Sequence, residues 1–379
     1  MTVTDSPRTA SVPADLPDAM ERLARDLGPG PFAHLCLFVS PGADLAALCG
    51  RAAQLFPRAT ICGCTTAGEI TAQGYDEGQA VAFALPAGGF ETEVLVFERI
   101  DRLDARQVVA DLLRARQALS LRAAHLPHEC AVLLVDGLSG QEDGLVAALS
   151  GALGAVPMAG GSAADGGQFR RTLLYAHGRV MENAAALVLI RSRGAVRPFS
   201  LDNLNPTPVC MVVTEADPAR RIVSRINDEP AAREYARLMG VAPDLLSPFV
   251  FAAHPVMVRA GGRHHARAVQ GVQADGSLLF FSAVAEGLVL TLAAPGNMAD
   301  HLQQELTALA RNGAPSAILG FDCLFRKIDA QGRQQVRDIS DILARHRVSG
   351  FSTYGEQIGA MHVNQTLTGF AFYPPGVVP

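Results

Sequence analysis

The chain has 379 residues, of which 49% are hydrophobic and 18% charged. That is enough for a large core and about two to three domains, and it excludes general disorder. The net charge of −5 and an isoelectric point near 6.1 give no basis for a nucleic-acid or anionic-membrane partner. The N-terminal stretch carries Asp5 and Asp15 and no apolar core, so it does not read as a signal peptide. The apolar run 184–190 is far short of the roughly 20 residues of a membrane span, and a cytoplasmic location is expected. Seven cysteines without a paired framework fit reduced thiols. Cys62 and Cys64 have no second pair to complete a structural zinc site.

Residues 1–17, rich in Thr, Ser, Pro and Asp, read as a mobile tail. A buried strand is predicted over 34–39. Leu45, Leu48, Cys49, Ala52, Leu55 and Phe56 then recur at helical spacing, bounded by Pro41-Gly42 and Pro57. A second strand, 59–63, runs into Cys64-Thr65-Thr66-Ala67-Gly68-Glu69. Strands at 79–85 and 93–97, a helix at 105–119, a strand at 130–135 and a helix at 142–153 follow. A glycine-rich loop spans 160–167, before strands at 171–176 and 184–190. Segment 191–208 has three prolines and little periodicity, and marks a domain boundary.

Beyond it, strands are predicted at 209–214 and 221–226, with a helix from Pro230 to residue 239. The apolar stretch 249–258 is interrupted by His254-Pro255. Strands 264–272 and 277–282 are joined by the turn 274–276. A strand at 288–292, a helix at 298–309, a strand at 317–321, a helix at 334–345 and strands at 348–351 and 367–373 complete the chain. The pattern predicts an α/β fold, with α+β as the alternative: two related lobes of mixed β-sheets flanked by helices. The expected domains are 18–198 and 199–379.

The heptapeptides 63–69 and 350–356 share the pattern G-x-[ST]-T-x-G-E, each after a strand, a helix and a strand. This suggests two lobes on related plans, with the two loops related by approximate symmetry. Thr66, Glu69, Thr353, Tyr354 and Glu356 stand just beyond strand ends, where α/β sheets bind ligands. The alternative is a pair of tight turns in which Thr and Glu satisfy local backbone groups. The loop 160–167 offers N–H groups to an anion. It is neither a G-x-G-x-x-G nor a P-loop sequence, and a plain connection is the simpler reading. His254 lies in an apolar stretch, and a buried imidazole needs a hydrogen-bond partner or a metal. His362 follows the second repeated loop closely. No paired carboxylates, metal triad or Ser-His-Asp order stands out, and no catalysis is expected.

Residues 61–70, Ile-Cys-Gly-Cys-Thr-Thr-Ala-Gly-Glu-Ile, resemble the signature loop of the FIST N-terminal domain. Residues 350–356 and 362–369 resemble the end of the FIST C-terminal domain. FIST modules are sensory domains for small ligands. Within that family the segments 251–259, 321–326 and 354–366 look closest to the NosP branch, nitric-oxide-sensing haem proteins. That resemblance implies haem b as cofactor, with His254 the lead candidate for the iron ligand and His362 the next. Arg259, Arg263 and Arg267 would face the propionates. Nitric oxide is the implied ligand, and a histidine kinase or cyclic-di-GMP enzyme the implied partner. A homo-oligomer is compatible with all of this. The alternative is a haem-free FIST module binding an amino acid or similar metabolite between the repeated loops.

Overall fold

The computed structural model describes residues 5–260 and 262–378. Three copies of one plan build most of it: strand, helix, strand, short hairpin, return strand. In the first, strands Phe32–Val39 and Thr60–Thr65 flank helix Leu45–Leu55. The hairpin Glu69–Thr71 with Gly74–Asp76 and the return strand Gln79–Pro86 complete it. The second runs through His128–Asp136, helix Glu142–Leu153, Met158–Ala163, hairpin Leu174–Ala176 with Arg179–Met181, and Ala184–Ser192. The third comprises Ala317–Cys323, helices Leu324–Gly332 and Val336–Arg345, then Val348–Thr353. Its hairpin is Glu356–Ile358 with Met361–Val363, and Leu367–Phe372 is its return strand.

Within each copy the first two strands are parallel, as a helical crossover requires. The return strand pairs antiparallel with the first. The hairpins leave their own copy. The first copy's hairpin extends the third copy's sheet, the third's extends the second's, and the second's extends the first's. One further strand closes each opposite edge: Arg8–Pro13, Phe90–Glu98 and Val196–Leu201. The result is three six-stranded mixed sheets flanked by helices, a mixed α/β fold.

Alternation along each strand divides the core. Cys36, Phe38, Val132, Leu134, Leu319 and Phe321 point inward into one cluster shared by all three sheets. There the Phe38 and Phe351 rings lie 4.7 Å apart. Leu35 and Leu37, Leu133 and Leu187, and Ile318 and Ala371 point outward under helices. An eight-stranded sheet is inserted between Val196–Leu201 and helix Met298–Leu309, and it covers one end of the assembly.

The structure changes several expectations. Segment 8–13, expected in a mobile tail, is a paired edge strand, while residues 1–4 lie outside the described residues. The repeat is threefold rather than twofold, and the loop 160–167 belongs to the second copy. Residues 264–272 form two strands, Arg263–Arg267 and Val269–Val272, that pair in different parts of the inserted sheet.

Register explains the first glycine of the repeated motif. Gly63, Gly160 and Gly350 stand opposite Leu37, Leu133 and Gly320 at equivalent positions. A Cβ would come within 2.8, 2.1 and 1.8 Å of those residues' carbonyl oxygens. Gly160→Ala and Gly350→Ala are therefore expected to cost about 1–3 kcal/mol or more, because backbone must move. Gly151→Ala, in a helix with open space around it, should stabilise by about 0.5–1 kcal/mol. Urea unfolding of the three variants checks the contrast.

Candidate functional site

The loops that follow the second strands converge. Counting from the motif glycines, Ala67, Ala164 and Tyr354 occupy equivalent positions, and all three enter one apolar cluster with Phe251, Phe281 and Phe325. Their backbones bond in a ring. Ala67 N donates to Ser352 O at 2.9 Å, Tyr354 N to Ser162 O at 3.4 Å, and Ala164 N to Thr65 O at 2.9 Å. The return bonds run Ser352 N to Gly68 O, Ser162 N to Gly355 O and Thr65 N to Leu173 O, at 2.8, 2.8 and 3.0 Å.

The paired Thr and Glu residues serve this junction from behind. The Thr66 hydroxyl donates to the Glu69 carboxylate, whose other oxygen accepts from Gln79 N at 2.9 Å. The Thr353 hydroxyl donates to Glu356 in the same way, and Glu356 accepts from Thr366 N at 3.2 Å and Thr366 Oγ1 at 2.8 Å. Each carboxylate thus links the loop, the departing hairpin and the start of the return strand. Burial pushes Glu69 up to about 7 and Glu356 up to about 8, against the opposing effect of these donors. In the second copy Ala163 and Leu174 hold the Thr and Glu positions. Asp136, from the first strand, takes over by accepting from the Thr172 hydroxyl and from Asn183 N at 2.5 Å.

The N–H groups of loop 160–167 do not cradle an anion: the loop contributes the anion, Asp165, and the N–H groups that hold it come from residues 169–171 beyond it. The carboxylate accepts from Phe169 N at 2.8 Å, Arg170 N at 2.7 Å, Arg171 N at 2.8 Å and the Tyr354 hydroxyl. Burial works to raise the Asp165 carboxyl, but these donors outweigh it and hold the group below its ordinary value. The Tyr354 oxygen in turn accepts from Gly167 N at 2.9 Å. Phe169 stacks on Tyr354 at 4.6 Å and meets Phe281 at 5.7 Å.

Beside this loop lies a cleft of about 260 Å³. One wall is Ala67, Gly167 and Phe169. The other is the helix Leu324–Gly332, which presents Leu324, Lys327, Ile328 and Gln331 at i, i+3, i+4 and i+7. Lys327 Nζ pairs with Glu77 at 2.7 Å. The repeated motifs pointed to this junction, but not to Lys327, Asp165 or Phe169. Lys327 carried one legible signal: it is the single lysine beside 31 arginines.

The histidines stand elsewhere. His254 ends the helix Pro248–Ala253, half-buried, and its backbone carbonyl accepts from the Tyr235 hydroxyl. Burial, reinforced by Arg333, lowers its pKa. His362 is buried on strand Met361–Val363, with Nδ1 3.3 Å from Gln357 Nε2 and Nε2 3.4 Å from Phe281 O. Arg259 and Arg263 are exposed near the tip of the hairpin Val256–Ala260 with Arg263–Arg267. Arg267 turns inward to bond Ala266 O at 3.2 Å and His362 O at 3.5 Å. Cavities of about 730, 580 and 260 Å³ are lined by neither histidine, so neither faces a haem-sized space among them.

All seven cysteines are free, and six of them are buried. Among the described residues no cluster of three His, Cys, Asp or Glu side chains is arranged to hold a metal ion. Nor is any helix there long and apolar enough to cross a membrane.

Fold and junction define a repeat-built α/β module whose loops meet under an inserted sheet. Residues 33–229 match the model of the FIST N domain, and residues 231–359 that of the FIST C domain. The chain belongs to the FIST family of sensory signalling modules. No curated protein matches it. The two matches meet inside the inserted sheet, beyond the 191–208 segment at which the six-stranded sheets change over.

Glu356 gives a pH test. Folded, it keeps a proton up to about pH 8; unfolded, it releases it near its ordinary value of 4.5. The folded state therefore binds more protons between those limits, and stability must fall as pH rises through the window. The expected fall is about 1–3 kcal/mol, with Glu69 adding the same sign up to about pH 7. Urea unfolding at several pH values should show a flatter profile for Glu356→Gln. An unchanged slope would mean that Glu356 is ionised in the folded state.

Proposed function

We propose that the chain senses a small metabolite, an amino acid or a compound of that size, in the cleft beside the loop junction. It would relay occupancy to a partner signalling protein rather than catalyse a reaction. The observation that carries this reading is the origin of the cleft walls. Ala67 comes from the first copy, Gly167 and Phe169 from the second, and the helix Leu324–Gly332 from the third. A ligand there touches all three units at the point where their loops are bonded to one another. Phe169, Tyr354 and Phe281 then form a packed aromatic path from the cleft to the inserted sheet. By family resemblance the partner is a histidine kinase or a cyclic-di-GMP enzyme.

A second reading, a haem-based nitric-oxide sensor, is favoured by His254. Its half-buried ring is biased toward the neutral form and makes no ring hydrogen bond among the described residues, which suits a metal ligand. When bound, haem would supply an iron that takes up a diatomic gas. The helix Pro248–Ala253 would have to move to admit it.

Thermal unfolding with each of the twenty amino acids, and absorption spectra after hemin loading, separate the two readings. The first expects one or a few amino acids to raise the melting temperature. At a hundredfold excess over Kd, binding adds about 2.7 kcal/mol. Ile328→Trp, which fills the cleft, should abolish the shift while leaving the unliganded melting temperature nearly unchanged. A stoichiometric Soret band that is lost in His254→Ala, with no amino-acid response, would establish the second reading instead.

A further inference from the structure

Lys327 and Glu77 form an unequal pair. The Lys327 side chain is 6% exposed and that of Glu77 is 74% exposed. The ammonium is sunk against the first repeated loop, where a Cβ on Gly68 would come within 2.5 Å of Nζ. It has given up most of its hydration and needs an anion in return. Glu77 stays largely in water, so solvent screens it and it gives up side-chain freedom to hold the ammonium, which weakens the pair. The other nearby carboxylates are engaged. Asp322 is bound to Arg326 at 2.7 Å, and Glu69 to Thr66 and Gln79.

We infer that Lys327 is the anchor for the carboxylate of a small monoanionic ligand, and that Glu77 occupies its place until the ligand arrives. This rests on the cleft being the ligand site. The charge count selects the class. Lys327 is the one cation lining the cleft and Glu77 the one carboxylate, which matches a ligand with a single carboxylate and leaves a phosphate dianion half unpaired and facing Glu77. Leu324, Ile328 and Phe169 make the remaining walls largely apolar, which suits a compact hydrocarbon body. Glu77 directly follows the first copy's exchanged hairpin and lies two residues before Gln79, whose N–H is held by Glu69. Its displacement would free the turn by which that hairpin returns to its own sheet.

Because the chain has one lysine, growth on ¹³C-lysine yields a single labelled side chain. The probes are isobutyrate, its uncharged isostere isobutyramide, and inorganic phosphate. Isobutyrate should shift the Lys327 ε resonances in a saturable titration, while isobutyramide and phosphate should not. Glu77→Gln, at an exposed position, should tighten isobutyrate binding by about threefold to tenfold through removal of the competitor. Lys327→Met should weaken it by about tenfold or more, read by calorimetry. If isobutyrate leaves the Lys327 resonances unmoved, or Glu77→Gln leaves its affinity unchanged, the anchor is wrong. If acid and amide bind equally, the cleft remains the ligand site and only the role of Lys327 fails. Phosphate binding as tight as isobutyrate would overturn the monocarboxylate class.

Discussion

The cyclic exchange of hairpins is the constraint on which the rest of the structure depends. Each copy ends its second strand at the junction, sends its hairpin into a neighbour's sheet, and returns. No copy can complete its six-stranded sheet alone, because each would lack the hairpin at one edge. The backbone bonds from Ala67 to Ser352, Tyr354 to Ser162 and Ala164 to Thr65 close the ring at the crossing point. Side chains reinforce the exchange. Tyr75, on the first copy's hairpin, donates to Asp322 in the third copy, which also holds Arg326.

Placing loop ends at a crossing point buries their polar groups, and these need partners. Glu69 and Glu356 meet that need with Thr hydroxyls and return-strand N–H groups. In the second copy Asp136 meets it from another position in the chain. Departure from symmetry opens the cleft. Ala67 and Ala164 are small where Tyr354 is large, and the longer second loop brings Phe169 across to stack on Tyr354. Three identical copies would give three equivalent surfaces. Three diverged copies leave one lined by Lys327.

Two of the three copies are legible because G-x-[ST]-T-x-G-E survives in both. The second copy is hidden. Ala163, Ala164 and Asp165 replace Thr, Ala or Tyr, and Gly, and several extra residues separate the loop from its hairpin. Gly160 is the one strong trace, kept because Leu133 O leaves no room for a Cβ. The same glycines read as a plain connection, although the N–H groups of Gly166 and Gly167 are committed to Thr66 O and the Tyr354 hydroxyl. The strand 8–13 was missed for a different reason. A lone edge strand among Pro, Ser and Thr has no periodicity, and only its pairing with Gln79–Pro86 defines it.

The amino-acid sequence by itself determined the mixed α/β class, the strand–helix–strand units, the repeated loops and the family, because local periodicity and short motifs encode each of them. Tertiary structure alone decided that the units number three, that their hairpins are exchanged, and that Thr66, Glu69, Thr353 and Glu356 brace the junction rather than line its cleft. It also decided that Lys327 and Phe169, about 160 residues apart, face each other. Those outcomes depend on pairing between distant strands, and distant pairing leaves no periodic mark on the residues that take part.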